Sequence, residues 1–157
     1  MNRLHIHLAR QELELWQDDS LVARYPVSTA APGEQCGSGC TPRGRHRIRL
    51  KIGAGCPLNT VFVARRPTGE IYTPELGAQY PERDWILTRI LWLTGEESGL
   101  NRGGECDTLR RYIYIHGTDR EDLIGQPVSH GCIRMKNNDL LELFNLVSNN
   151  DAVIIEA

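Results

Sequence analysis

What most constrains this chain comes at its start, where three short runs alternate apolar and polar side chains. Leu4 to Leu8 and Glu12 to Gln17 each place their large apolar residues on one side, and Leu21 to Val27 follows after Asp18, Asp19 and Ser20. A period of two is the pattern of a half-buried strand, and the Asp-Asp-Ser cluster is turn chemistry, so the N-terminus is expected to form a hairpin-rich sheet. Ser28 to Gly44 carries Pro32, Gly33, Gly37, Gly39, Pro42 and Gly44 and reads as a loop leading into a strand over Arg45 to Leu50. Further strands are expected at Val61 to Arg65, Trp85 to Leu93 and Tyr112 to His116, and a last one at Ala152 to Ile155. The one substantial helix follows Asn138 as cap, with Leu140, Leu141, Phe144 and Val147 at three- and four-residue spacing. Thr94 to Gly104 has four glycines and no apolar period, which predicts a surface loop and a substrate rim. The fold class is therefore mainly β, with one main helix.

At 157 residues and 40% apolar composition, without a break in composition, residues 1–157 are expected to form one domain. The formal charge of -2 and pI near 6.2 give no global attraction to nucleic acid or anionic lipid, so neither partner is expected. A small neutral or zwitterionic ligand is easier to accommodate. Met1 to Gln17 contains no apolar run long enough for a signal-peptide core or membrane span. A cytoplasmic location is expected, with a periplasmic one if a leader had been removed. Five cysteines, an odd number, make poor material for a disulfide framework and also favour a reducing compartment.

The chemistry is concentrated late in the chain. His116 stands at the end of the alternating run from Tyr112, and Gly117 closes it. Twelve residues further on come Ser129, His130, Gly131 and Cys132, followed by Arg134. A thiolate is the nucleophile, and an ordinary thiol is only a few per cent ionised at neutral pH, so Cys132 needs a base. Either His116 or His130 could take the proton and return it to a leaving amine, giving a thioester on the way. Gly131 permits close backbone approach, amides around Cys132 could face an oxyanion, and Arg134 could hold a carboxylate. The bland reading makes the thiol a buried apolar filler and both histidines satisfied core residues. One such residue alone would favour it; their combination does not.

The segment from His116 to Met135, HGTDREDLIGQPVSHGCIRM, closely resembles the active-site signature of the L,D-transpeptidase catalytic domain, the YkuD-type family. Thr41, Pro42, Gly44 and Ile48 are similar to that family's upstream TPxGxFxI segment, with His46 where an aromatic is usual. The resemblance implies packed β-sheets around the catalytic cysteine. It implies Cys132 as nucleophile, His116 as base and the Gly117 carbonyl as its orienting partner, with Ser129, His130, Gly131 and Arg134 shaping the pocket. It further implies a peptidoglycan tetrapeptide stem as substrate, attacked between the L-centre of the third residue, usually diaminopimelate, and the terminal D-alanine. Transfer to another stem's amine would make a crosslink, and transfer to water an L,D-carboxypeptidase; the expected cytoplasmic setting favours water and a role in recycling muropeptides. Carbapenems are expected to acylate the same thiol.

Other features carry weaker signals. Cys36, Cys40, Cys56 and Cys106 lack the paired spacing of zinc sites, and no metal or cofactor is expected. His5 and His7 share one side of a strand, most simply at a half-exposed edge. Arg43, Arg45, Arg47 and Arg49 share a face that either meets substrate carboxylates or, as favoured, is a solvated face paired with acidic residues. Trp92 and Tyr114 could line a groove, although strand aromatics more often pack. A non-catalytic peptidoglycan-binding module and a general thiol protease are the competing readings.

Overall fold

A computed structural model describes all 157 residues. Ten strands, β1 (Asn2–His7), β2 (Glu12–Gln17), β3 (Ser20–Ser28), β4 (Gly44–Ile52), β5 (Thr60–Val63), β6 (Arg66–Ile71), β7 (Ile86–Gly95), β8 (Tyr114–Gly117), β9 (Ile133–Met135) and β10 (Ala152–Glu156), form one sheet. Helix α1 covers Pro74–Gln79 and α2 covers Asn137–Leu146. The strand order is β4-β10-β1-β2-β3-β9-β8-β7-β5-β6, and β4 also pairs with β7. That pairing closes eight strands into a ring and leaves the β5–β6 hairpin hanging from β7, so most backbone edges are satisfied by neighbours. The mainly β class with one main helix is what the alternating runs implied.

The alternation determines what is inside. Leu4, Ile6, Leu13, Leu15, Ile48, Leu91, Leu93, Ile115, Ile133 and Ile155 are essentially inaccessible and belong to one cluster of 20 residues. Leu140, Leu143 and Phe144 of α2 join it, so the three- and four-residue spacing of that helix is spent on covering the same core. Burying each such side chain is worth about 1.5–3 kcal/mol, and replacing one of them by alanine typically costs about 2–5 kcal/mol.

Several local expectations need correction. Ala64 and Arg65 are turn residues with φ of 49° and 64°, and so end β5 early. Tyr112 has φ of 56°, so β8 begins only at Tyr114. Asn138 does not cap α2: it lies within the helix and is exposed, while the first helical N–H, that of Asn137, donates to Glu121 Oε2 at 2.7 Å. A carboxylate from a distant loop outcompetes the local amide because it brings charge to the positive end of the helix. Thr94 to Gly104 begins as the end of β7 and folds onto β4 through buried Asn101, whose Nδ2 donates to the carbonyls of Arg43 and Arg45; none of its residues lines the cavity around Cys132.

Candidate active site

His116 and Gly117 close the short strand β8, which pairs in parallel with β9 so that His116 lies opposite Arg134 and Gly117 opposite Met135. The imidazole is buried, and its Nδ1 lies 2.6 Å from the Gly117 carbonyl oxygen. This contact requires Nδ1 to carry the proton, which leaves Nε2 as the basic nitrogen. Gly117 is itself held from below. A Cβ there would stand 2.1 Å from Asn137 Oδ1 and 2.6 Å from the Leu87 carbonyl oxygen, so only glycine lets β7 and the start of α2 approach. Asn137 is fully engaged, its Nδ2 donating to the Thr118 carbonyl and its Oδ1 accepting from Thr88 Oγ1. The start of α2 thereby packs directly against the backbone whose carbonyl orients the ring.

Cys132 sits at the turn before β9, half-buried, with Sγ accepting from the Tyr114 amide and facing the Tyr112 carbonyl, both at 3.3 Å. Gly131 has φ of 126°, a value for glycine alone, and a Cβ there would press on the Cys40 carbonyl oxygen at 3.2 Å. The upstream TPxG segment braces this turn: Thr41 Oγ1 donates to the Gly131 carbonyl at 2.9 Å and accepts from the Ala30 amide. Ser129 Oγ donates to the Cys132 carbonyl at 2.6 Å and accepts from the Gly131 amide. Ser129 and Gly131 thus shape the backbone that presents the thiol and do not line the cavity.

That cavity, of about 300 Å³, opens directly over the thiol. Cys132, His116, His130 and Arg134 line it together, with apolar walls from Phe62, Ile86, Ile90 and Tyr114. His130 is exposed at its rim. Sequence reasoning missed Arg65, Asp84, Arg111 and Tyr112, which with Ala64 complete the lining. No motif marks them, because they come from turns and strand ends scattered across the chain. Tyr114 does face the cavity, whereas Trp92 packs behind it with its indole N–H donating to the Leu109 carbonyl.

The electrostatics define a neutral resting pair. Burial pushes the Cys132 thiol up to about 11, against the opposing pull of the Tyr114 amide and the nearby arginines Arg134 and Arg111. Burial also lowers the His116 pKa below its ordinary value, outweighing the Gly117 contact. Thiol and imidazole therefore both stand uncharged at neutral pH, and Sγ bonds to backbone, not to a ring nitrogen. Such a pair can perform acyl transfer by handing over the proton during attack.

The remaining candidates lie elsewhere. Arg43, Arg45 and Arg47 pair with Glu34, Glu97 and Glu96, which is the solvated-face arrangement, and none reaches the cavity. His7 Nε2 meets Glu14 at 2.9 Å and His5 lies 3.9 Å from Glu156 on one partly covered face of β1, which is paired with both β10 and β2 and so is not the sheet edge expected from the sequence. The five cysteines are all free. His46, in the aromatic position of the upstream segment, is fully buried with Nδ1 on the Gly44 carbonyl and Nε2 on Thr108 Oγ1.

The fold is a closed, mainly β ring with a thiol and an oriented imidazole lining one cavity, an arrangement compatible with cysteine-based chemistry. Residues 1–155 match the family described as the L,D-transpeptidase catalytic domain, YkuD, and the chain belongs to that family. It is 33% identical to the probable L,D-transpeptidase YbiS of Escherichia coli K12 over 115 residues, 68% of this chain and 37% of that relative. Among solved structures, an L,D-transpeptidase from Mycobacterium smegmatis superposes with a TM-score of 0.59 at 18% identity, covering 99% of this chain and 58% of that one. L,D-transpeptidase 3 from Mycobacterium tuberculosis, solved with a faropenem-derived adduct, gives 0.62 at 16% identity, covering 99% and 60%. The chain thus spans between about a third and three-fifths of the length of these relatives.

Proposed function

We propose that this chain is an L,D-carboxypeptidase that trims peptidoglycan tetrapeptide stems, with Cys132 as nucleophile and His116 as base. The observation that carries the reading is the cavity lined by both the thiol and an imidazole whose Nδ1 is fixed on Gly117 and whose Nε2 is left basic. Cys132 Sγ bonds to the carbonyl carbon at the L-centre of the third stem residue while Nε2 takes the thiol proton. Collapse of the oxyanion expels the amine of the terminal D-alanine, which receives that proton. Water then adds to the thioester, giving one proton to Nε2; collapse expels the thiolate, which takes that proton back, and the tripeptide's new carboxyl group loses the other to solvent.

Five unpaired cysteines, one of them the exposed Cys36, support a reducing compartment and hence a cytoplasmic enzyme working on stems or muropeptides returned by wall turnover. Water is the abundant acceptor there. The names of the relatives favour a second reading, in which an amine of another stem takes the acyl group and a crosslink forms. The imipenem complex of a structurally similar L,D-transpeptidase, LdtMt1, supports carbapenems as ligands of this cavity, with Cys132 the residue they would acylate.

Mass spectrometry of the protein and its Cys132→Ala variant, incubated with free tetrapeptide and an amine acceptor, tests these readings. Release of D-alanine to leave tripeptide is expected, and only with Cys132 present. Dimers or exchanged D-amino acids would replace the carboxypeptidase by the transpeptidase. The absence of any Cys132-dependent product would leave a binding module.

A further inference from the structure

Three arginines line the cavity, and none of them meets a carboxylate of the chain. Arg111 is committed to structure, since its two terminal nitrogens donate to the carbonyls of Gly33, Glu34 and Cys40. Arg134 follows the nucleophile by two residues and sits opposite His116 in the ladder. Arg65 is different. It is the second residue of the tight turn between β5 and β6, and both turn residues, Ala64 and Arg65, are held at positive φ without being glycine or asparagine. Its guanidinium carbon lies 4.7 Å from the Tyr112 ring centre and 5.1 Å from that of Trp92, and Nη1 donates to Tyr114 Oη at 3.1 Å. Tyr112 reaches this position only by adopting positive φ itself. Three strained residues and two aromatic faces thus hold one guanidinium at the cavity, while its Nε and Nη2 bond to nothing in the chain. The same Tyr114 that receives Nη1 donates its amide to Cys132 Sγ, so the fork stands on the tyrosine side of the nucleophile.

We infer that Arg65 is a specificity-determining residue that grips the free terminal carboxylate of the residue to be released, restricting this site to the ends of peptides. The inference rests on the carboxypeptidase reading. In a stem end, the one fixed anion beside the scissile bond is the α-carboxylate of the departing residue, and a planar fork held by stacking suits a bidentate contact with it. A stem whose end is amidated, or is extended by further residues, offers no such group.

The test compares a tetrapeptide stem carrying a free terminal carboxylate with the same stem as its C-terminal amide. Calorimetric binding to the Cys132→Ala protein reads recognition without turnover. The free acid is expected to bind roughly 10- to 100-fold more tightly than the amide, the range of one charge-assisted contact. Adding Arg65→Gln is expected to weaken the acid alone and erase the preference, with Arg65→Lys restoring part of it. In the intact enzyme the loss falls on KM more than on kcat. Equal affinity for acid and amide with Arg65 in place would overturn the inference. So would an equal loss for both ligands in Arg65→Gln, which would assign Arg65 to another part of the stem. Preference for the acid without D-alanine release by the intact protein would support Arg65's role while removing the carboxypeptidase reading.

Discussion

Two buried histidines in this molecule use the same device to opposite ends. His46 and His116 each set Nδ1 against a backbone carbonyl close in sequence, Gly44 for one and Gly117 for the other. In His46 the second nitrogen is also taken, by Thr108 Oγ1, and no cavity reaches the ring. In His116 the second nitrogen has no partner in the chain, and the ring lines the space above Cys132. Burial disfavours the charged form of both. What separates the proposed base from the structural imidazole is therefore not burial, which acts on both, but one unspent nitrogen on a ring that lines a cavity.

The largest expected effect separates the two rings by activity. His116→Ala should lower kcat about 10²- to 10⁴-fold, the usual worth of a general base, whereas His46→Ala should stay within about tenfold of the parent. Comparable losses in a D-alanine release assay would break the distinction. Stability should not separate the two rings in this way, since burial lowers both pKa values, but the His46 share can be read by itself. His46 in the folded chain has its pKa depressed to about 4, so the unfolded chain binds the proton first as pH falls. Its contribution is therefore intact above about pH 6.5 and fades between there and pH 4, by up to about 3 kcal/mol. Denaturant melts of His46→Phe across that window should show a shallower acid loss than the parent.

A smaller effect concerns the rate itself. Because the His116 pKa is lowered, the acid limb of kcat/KM should lie below the ordinary histidine value near 6.5. A limb above that value would mean that the charged ring is favoured in the free enzyme. The smallest effects belong to the arginine strand: Arg45→Ala and Arg47→Ala should each change stability by about 1 kcal/mol or less, as exposed pairs do, and leave turnover intact. A selective fall in turnover would return that face to the site.

Much of this was legible beforehand, for reasons that can be named. Alternation at Leu4, Ile6, Leu13 and Leu15 is a direct image of one buried face, and His116 and Cys132 stand in a motif. Three elements escaped. Strand β6 runs Arg-Pro-Thr-Gly-Glu-Ile and has no apolar period, because it is a hairpin arm largely exposed beyond the closed ring. Strand β9 is only three residues long and exists because β8 and β3 flank it. Helix α1 has no buried residue, although Thr73 before Pro74, with its hydroxyl accepting from the Leu76 amide, was a readable cap. Arg65 could not be foreseen at all: its position depends on Tyr112 and Tyr114, almost fifty residues away, converging on one turn.

The neutral resting state of Cys132 also bears on how this protein meets small electrophiles. An alkylating reagent needs a thiolate already formed, and burial withholds it from Cys132, while Cys36 stands exposed to solvent. A reagent that presents an acyl carbonyl and lets His116 accept the proton meets no such obstacle. The residue proposed to attack substrate is therefore expected to be slower toward general alkylating reagents than Cys36, so that reactivity at Cys132 would be reserved for carbonyls that fit the cavity.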